Sequence, residues 1–242
     1  LIPRPDTEVL VEAVLDVFRG GGQGLPQAGK PVPPAPTLSP ETPPPTPSPG
    51  STGIQPVQHR QDACAPGQGN LALDVGAGSG AVVLALAREL LELIWVAVDI
   101  SAAALEVARE NARRHGVAER VSFLQGNLFS GIRRHPVFIL ITANLPYVPR
   151  QEWEQLSKEI RDYEPMAALL GGEDGLALLK PLSQQAHSYL RPGGWLALEV
   201  GAGQAKRGME FLEETKAYDA LKAVNDYQGI ARVVLARRSG KS

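Results

Sequence analysis

From residue 70 onward, short apolar runs alternate with longer amphipathic segments. Short apolar runs bounded by glycine or polar residues predict strands, and apolar residues three or four positions apart predict helices. Strands are predicted at 71–75, 94–100, 121–125, 137–143, 195–200, 221–227 and 231–237. Helices are predicted at 80–92 and 101–115, and near 150–160, 174–190 and 203–216.

This order of elements predicts an α/β fold. Strands joined through a helix pair in parallel, whereas the last two strands are only a few residues apart and form an antiparallel hairpin. We therefore predict a Rossmann-like, doubly wound sheet that is mostly parallel and ends in a C-terminal antiparallel hairpin.

The chain divides into three parts by composition. Within residues 1–19, apolar residues recur at helical spacing from Val9 to Val17, which predicts a helix that packs on the main domain. Asp6 or Thr7 is expected to cap this helix. Residues 20–69 contain more than half of the chain's 21 prolines and few apolar residues, so we expect a disordered insertion there. Residues 70–242 are expected to form the catalytic domain.

Composition narrows the classes of function. The 242 residues include 24 Lys and Arg and 26 Asp and Glu, a formal net charge of −2, so we expect no direct binding to nucleic acid. Cys64 is the single cysteine, which excludes an intrachain disulfide, and we expect no metal. The sequence has neither a signal-peptide pattern nor an apolar run of about 18 residues. We therefore expect a cytoplasmic location and no association with a membrane. The sequence begins at Leu1 and enters directly into a motif, which is compatible with a fragment of a longer protein.

A glycine-rich turn follows the first predicted strand of the main domain. Its residues are Gly76, Ala77, Gly78, Ser79 and Gly80. Glycines let the backbone approach a ligand closely, and the first amides of the next helix point into the same space. Asp99 ends the next strand, where a carboxylate can accept hydrogen bonds from both ribose hydroxyls. The glycine spacing alone leaves NAD open. The terminal hairpin resembles the one that class I methyltransferases add to the Rossmann pattern, and this resemblance favours S-adenosylmethionine.

Two further segments follow strands that end at the same edge of the sheet. After the third strand, Asn127 could accept from an adenine amino group and Leu128 could cover the ring, although an ordinary turn fits that segment equally well. After the fourth strand, Asn144 precedes Leu145, Pro146 and Tyr147. The Asn144 side-chain oxygen and a backbone carbonyl beside it can accept from a planar NH₂ group and hold its nitrogen in line with a methyl group, while Tyr147 packs on the substrate.

These motifs resemble those of the release-factor glutamine N5-methyltransferases. The matching segments are IPRPDTE at 2–8, DVGAGSG at 74–80, NLPY at 144–147, YEPMAALLGGEDGL at 163–176, RPGGWLALEVGAGQ at 191–204 and YQGIARVV at 227–234. The resemblance implies a class I S-adenosylmethionine-dependent methyltransferase that modifies the glutamine amide in the GGQ motif of peptide chain release factors. It implies that Gly76 to Gly80, Asp99, Asn127, Leu128 and Asn144 bind the cofactor, and that residues 144–147 are catalytic.

The sequence also departs from that family. Leu145 stands where the family usually has the first proline of N-P-P-Y, and Asn127 replaces a common aspartate. We expect no counterpart of the family's helical N-terminal domain within this sequence. Two other functions stay open on the sequence alone. One is an adenine-N6 or other nucleic-acid amino methyltransferase, in which the same oxygen acceptors would bind an NH₂ group. The other is a donor-binding module without activity.

Overall fold

The computed structural model describes residues 5–20, 70–155 and 165–240. Within these ranges, seven strands form one sheet. The strands are β1 (Asn70–Val75), β2 (Leu93–Asp99), β3 (Val121–Gln125), β4 (Phe138–Asn144), β5 (Leu190–Glu199), β6 (Tyr218–Asn225) and β7 (Ala231–Arg238).

The described helices flank this sheet. They are α1 (Pro5–Gly20), α2 (Ala81–Glu89), α3 (Ala102–Arg114), α4 (Arg150–Gln155), α5 (Leu179–Ala186) and α6 (Ala205–Glu214). Two 3₁₀ turns lie at Ala118–Arg120 and Met166–Ala168. None of the helices in the described part of the chain has the length and apolar character needed to cross a membrane.

The strand order is β3-β2-β1-β4-β5-β7-β6. The pairs from β3 to β5 are parallel, and β7 is antiparallel to both β5 and β6. The predicted doubly wound sheet with a C-terminal antiparallel hairpin is therefore confirmed. The chain runs outward from β1 to β3 and then returns to β4 on the other side of β1. This reversal creates the crevice at the carboxyl ends of β1 and β4 where such sheets bind ligands.

Alternate residues along the strands divide the core between the two faces of the sheet. Ala72 belongs to a buried cluster that includes residues of α1 and α2, whereas Leu73 belongs to a second cluster that includes residues of α5 and α6. Helix α1 also packs against β5 and β7. Helix α1 contributes the fully buried Leu10 to the first of these two clusters. Burial of this apolar side chain fixes the position of α1 relative to the sheet.

Several predicted boundaries were wrong. Helix α1 begins at Pro5 and ends at Gly20, so Asp6 and Thr7 lie inside its first turn rather than before it. The helix predicted near 174–190 begins at Leu179 because the residues before it form a loop with Gly175 at a φ of +77°. Strand β5 begins at Leu190, earlier than predicted, and its register with β4 shifts between Phe138 and Leu140. The insertion predicted at 20–69 lies outside the described residues apart from Gly20.

Candidate active site

The glycine-rich loop connects β1 to α2 with its backbone tied to the neighbouring strand. The amides of Gly76 and Ala77 both donate to the carbonyl of Val98, at 2.8 and 3.0 Å. A side chain at Gly76 would come within 2.6 Å of Leu145 Cδ2, whereas a side chain at Gly78 would meet no atom within 4 Å. The loop therefore packs against the segment after β4 on one side and leaves open space beside Gly78.

The loop and the predicted ribose-binding acid are joined directly. The backbone amide of Gly78 donates to Asp99 Oδ2 at 2.8 Å, and the amide of Ser101 donates to Oδ1 at the same distance. These two bonds fix the carboxylate at the carboxyl end of β2, where its remaining lone pairs can accept hydrogen bonds.

Ile100 is an apolar residue at this edge that the sequence reasoning missed. It follows Asp99 and is 67% exposed, although an isoleucine at the end of a buried strand would ordinarily be covered. Its position directly after the acid was the available signal. Ile100 can cover an apolar face of a ligand whose hydroxyls bind the carboxylate.

Asn111 holds the glycine-rich loop through a hydrogen bond to its backbone, a role that the sequence analysis did not predict. Its Nδ2 atom on helix α3 donates to the carbonyl of Ser79 at 3.0 Å, and its side chain is buried. The loop end is further fixed by a 2.8 Å bond from the amide of Gly80 to the carbonyl of Ala77. The loop is thus preorganised by a side chain about thirty positions away, a contact that local sequence patterns do not reveal.

Asp74 is a buried carboxyl group beneath the loop. Its Oδ1 accepts a 2.6 Å hydrogen bond from the Thr142 hydroxyl across the β1–β4 pair. The backbone of Val83 also interacts with the carboxyl group and lowers its pKa slightly against the effect of burial. Burial raises the pKa of Asp74 to about 7, against the opposing effect of the Thr142 hydrogen bond, and the nearby charge of Asp99 adds to the rise.

The raised pKa of Asp74 predicts a pH-dependent stability. The folded protein retains a proton that the unfolded chain, with a pKa of 3.8, has released, so this contribution is present at low pH and is lost as the pH rises through about 7. We expect the free energy of unfolding of the donor-free protein to fall by about 1 kcal/mol between about pH 6 and pH 8. Asp74→Asn should remove that decrease. Urea denaturation at both pH values tests this, and equal pH dependence in the two proteins would contradict it.

The segment predicted to hold the adenine forms a tight turn after β3. The amide of Asn127 donates to Ser130 Oγ at 2.7 Å, and its side chain is exposed. Leu128 adopts a φ of +50°, which is uncommon for a leucine, and lies half-buried. The amide of Gly126 donates to the carbonyl of Asp99 at 2.9 Å, so this turn begins at the ligand edge of the sheet, next to the end of β2.

The NLPY segment begins where β4 ends. Asn144 is half-buried, and its Nδ2 atom donates to Thr7 Oγ1 on α1 at 3.1 Å. Leu145 is buried against Gly76 of the glycine-rich loop. The structure thus brings the predicted catalytic motif into contact with the predicted donor loop. Thr7 was missed in this role because it lies 137 positions from Asn144.

The other end of this segment is held by Gln204. Its Nε2 atom donates to the carbonyl of Tyr147 at 2.9 Å, and its Oε1 atom accepts from the amide of Gly201 at 2.9 Å. The loop around Gly175 lies against the same carbonyl, since a side chain at Gly175 would come within 2.2 Å of it. Val148 forms a parallel bridge with Leu170. Its amide donates to the carbonyl of Leu169, and its carbonyl accepts from the amide of Gly171, both at 2.9 Å. The backbone after Asn144 is therefore held from several sides.

A family model described as a methyltransferase domain matches residues 72–163. The chain is 41% identical to a release factor glutamine methyltransferase of Gloeobacter violaceus over 174 residues, covering 72% of this chain and 60% of that protein. It is 36% identical to the protein of the same name from Moorella thermoacetica, over 98% of this chain and 67% of the relative. The chain thus spans about three fifths to two thirds of the length of these relatives.

The fold is also found in solved structures. A methyltransferase from Pyrococcus furiosus superimposes with a TM-score of 0.51 at 19% identity, covering 71% of this chain and 76% of that protein. This likeness supports the class I S-adenosylmethionine-dependent methyltransferase fold. Together with the methyltransferase domain match, the fold identifies S-adenosylmethionine as the cofactor.

Proposed function

Because the chain belongs to the release factor glutamine methyltransferase family, we propose that it transfers a methyl group from S-adenosylmethionine to the glutamine side-chain amide in the GGQ motif of a peptide chain release factor. The observation that carries this proposal is the contact between Leu145 and Gly76. It joins an amide-accepting motif to a donor-binding loop at the ligand edge of one sheet. We also propose that the protein works in the cytoplasm, where its substrate acts in translation.

The described residues fit the cofactor. The open space beside Gly78 leaves room for a ligand against the backbone, and the Asp99 carboxylate lies beside it. We assign ribose binding to Asp99, adenine contacts to Asn127 and Leu128, and the backbone of the remaining cofactor site to residues 76–80. Ile100 adds an exposed apolar surface next to the acid.

The acceptor chemistry rests on Asn144 and the backbone after it. A glutamine amide nitrogen is a poor nucleophile because its lone pair is delocalised into the carbonyl group. Asn144 Oδ1 and the carbonyl of Leu145 can each accept a hydrogen bond from the substrate NH₂, which orients the nitrogen and favours positive charge on it. S-adenosylmethionine supplies the electrophilic methyl group. The methyl–sulfur bond of the donor would break as the N–C bond forms, leaving a neutral thioether, and the N–H proton would then pass to solvent. Tyr147 would pack against the flat amide.

Asp99→Ala is expected to weaken donor binding much more than it slows the chemical step. The carboxylate contacts a ribose that does not change in the reaction, so its contribution is nearly equal in the ground and transition states. A hydrogen bond to a charged group contributes roughly 1.5–3 kcal/mol, about ten- to 150-fold in affinity. Calorimetric titration with S-adenosylmethionine measures this loss, and an unchanged affinity would remove Asp99 from the site. Asp219→Ala, which removes an exposed carboxylate on the edge strand β6, is a matched control.

One assay distinguishes the proposed reaction from the alternatives. Radiolabelled methyl transfer is measured with a purified release factor, with a peptide containing GGQ, and with duplex DNA. Methylation of the release factor at its GGQ glutamine supports the proposal. Methylation of adenine in DNA would indicate a nucleic-acid amino methyltransferase, and donor binding without transfer to any substrate would indicate a binding module.

We further propose that residues 1–19 and 70–242 act as one catalytic unit interrupted by the segment 20–69. Support comes from the core, where Leu10 and Val14 of α1 pack in the same buried cluster as residues of α2. The hydrogen bond from Asn144 to Thr7 also joins the two parts. Helix α1 would therefore belong to the catalytic machinery, not only to the scaffold.

A further inference from the structure

The hydrogen bond between Asn144 and Thr7 connects the catalytic motif to the first turn of α1. Asn144 Nδ2 donates to Thr7 Oγ1 at 3.1 Å. The Thr7 side chain is only 4% exposed, whereas Asn144 is half-buried. The bond therefore lies on the protein side of the carboxamide and leaves the other side toward the ligand edge.

This bond holds the carboxamide in one position and plane, with Nδ2 on the Thr7 hydroxyl. A hydroxyl can accept from Nδ2 or donate to Oδ1, so the NH₂ group of the substrate selects between the two orientations of the held group. The Nδ2 and Oδ1 ends are similar in size, and rotation about the terminal side-chain bond exchanges them. With Nδ2 on Thr7, Oδ1 lies on the opposite side of the group. In the reversed orientation, Nδ2 would face the NH₂ of a glutamine substrate, and two donors cannot form a hydrogen bond with each other.

Thr7 is itself held in place by packing. Four apolar residues that follow Thr7 on α1 are buried in the same cluster as residues of β1 and α2. They are Val9, Leu10, Ala13 and Val14. A hydroxyl on such an anchored helix cannot follow a rotating carboxamide. It thus provides a preorganised partner for Asn144, as expected for a contact that supports a catalytic group.

We infer that Thr7 is a positioning residue, whose hydroxyl holds the Asn144 carboxamide with Oδ1 directed at the substrate NH₂. This inference rests on the proposed function and adds a residue of helix α1 to its site. Thr7 touches neither substrate nor cofactor in this role. It acts through Asn144, so its removal lowers the fraction of enzyme with the acceptor oxygen correctly oriented and therefore lowers kcat.

The test compares Thr7→Val with Thr7→Ser in the full chain. Valine retains the branched shape of threonine but lacks the hydroxyl, whereas serine retains the hydroxyl. Single-turnover methyl transfer to a release factor at saturating donor should fall about tenfold in Thr7→Val, the factor that corresponds to loss of one hydrogen bond of about 1.4 kcal/mol. The donor Kd and the KM for the release factor should each change less than about twofold. Thr7→Ser should stay within about twofold of the wild-type rate.

Thr215→Val controls for the general loss of a threonine hydroxyl. Thr215 Oγ1 donates to the carbonyl of Leu212 at 2.6 Å, at the end of α6. Its substitution should lower the melting temperature without changing kcat. If Thr7→Val does not fold at the assay temperature, Thr7→Ala removes the same hydroxyl with a smaller side chain and should show the same tenfold loss.

The decisive measurement is made in an Asn144→Ala background. If Thr7 acts only through Asn144, adding Thr7→Val to Asn144→Ala should cause no further loss of rate. Wild-type turnover in Thr7→Val, an equal loss in Thr7→Ser, or a further tenfold loss in the double variant would each overturn the inference while leaving the proposed function intact. A wild-type rate in Asn144→Ala alone would instead overturn the proposed function.

Discussion

Asn144→Ala should lower the rate of methyl transfer by about a hundredfold or more while the protein remains folded. The substitution removes the side-chain oxygen that accepts from the substrate NH₂, and losing one preorganised polar contact to a transition state costs about that much. Donor affinity should change far less than the rate, because the donor loop keeps its own contacts through Asp99 and Val98. Single-turnover transfer to a release factor at saturating donor provides the measurement.

The matched control for this substitution is Asn225→Ala. Asn225 ends strand β6 and is exposed, so its loss should leave both the rate and the melting temperature close to those of the wild type. A slow Asn144→Ala protein with a strongly reduced melting temperature would indicate unfolding, and circular dichroism at the assay temperature excludes that case. Wild-type turnover in Asn144→Ala would show that NLPY is only a turn, and the proposed chemistry would be abandoned.

Local patterns in the sequence were sufficient for the sheet and for the residues at its ligand edge. Asp99 and Asn144 end apolar runs, and parallel strands bring their carboxyl ends to one edge, so both could be placed at the same edge of the sheet from periodicity alone. The glycine-rich turn was equally local, because it lies between a strand and a helix. The structure places all of these residues at that edge.

The supporting contacts could not be predicted in the same way, because they join positions far apart in sequence. Thr7 looks like a helix cap in an amphipathic pattern, and only the packing of α1 on the sheet brings its hydroxyl to Asn144. Gln204 looks like an ordinary residue before a helix, yet it bridges Gly201 and the carbonyl of Tyr147. A pattern predicts which way a residue faces within its own element, but the partner from another element depends on the packed structure.

The helix predicted near 174–190 does not include residues 174–178, for a related reason. Leu176 and Leu178 suit a helix, but the segment must turn so that Gly175 can approach the carbonyl of Tyr147. This approach forces Gly175 to a φ of +77°, which a helix does not permit. The loop conformation is thus set by its contact with the NLPY segment, and this tertiary contact overrides the helical preference of its residues.

Gly175→Ala is expected to damage both stability and catalysis. The added Cβ would lie 2.2 Å from the Tyr147 carbonyl oxygen and 2.4 Å from Gln204 Nε2, and backbone atoms cannot yield as a flexible side chain can. Together with the strain of a side chain at positive φ, we expect a loss of about 3 kcal/mol, which lowers the melting temperature of a domain of this size by roughly 6–12 °C. Because the clash falls on the NLPY backbone, turnover should fall at least about tenfold.

Gly193→Ala separates the clash from the strain. Gly193 has nearly the same φ, +78°, but a side chain there would meet no atom within 4 Å. Gly193→Ala should therefore lose only about 1 kcal/mol of stability through backbone strain. This loss lowers the melting temperature by roughly 2–4 °C and leaves turnover unchanged. Thermal denaturation of the two variants measures the loss of stability, and single-turnover rates are compared at a temperature where both are folded. Together these measurements distinguish the clash at Gly175 from the backbone strain that both positions share. Equal effects in both would mean that the contact between Gly175 and Tyr147 contributes nothing to holding the catalytic motif.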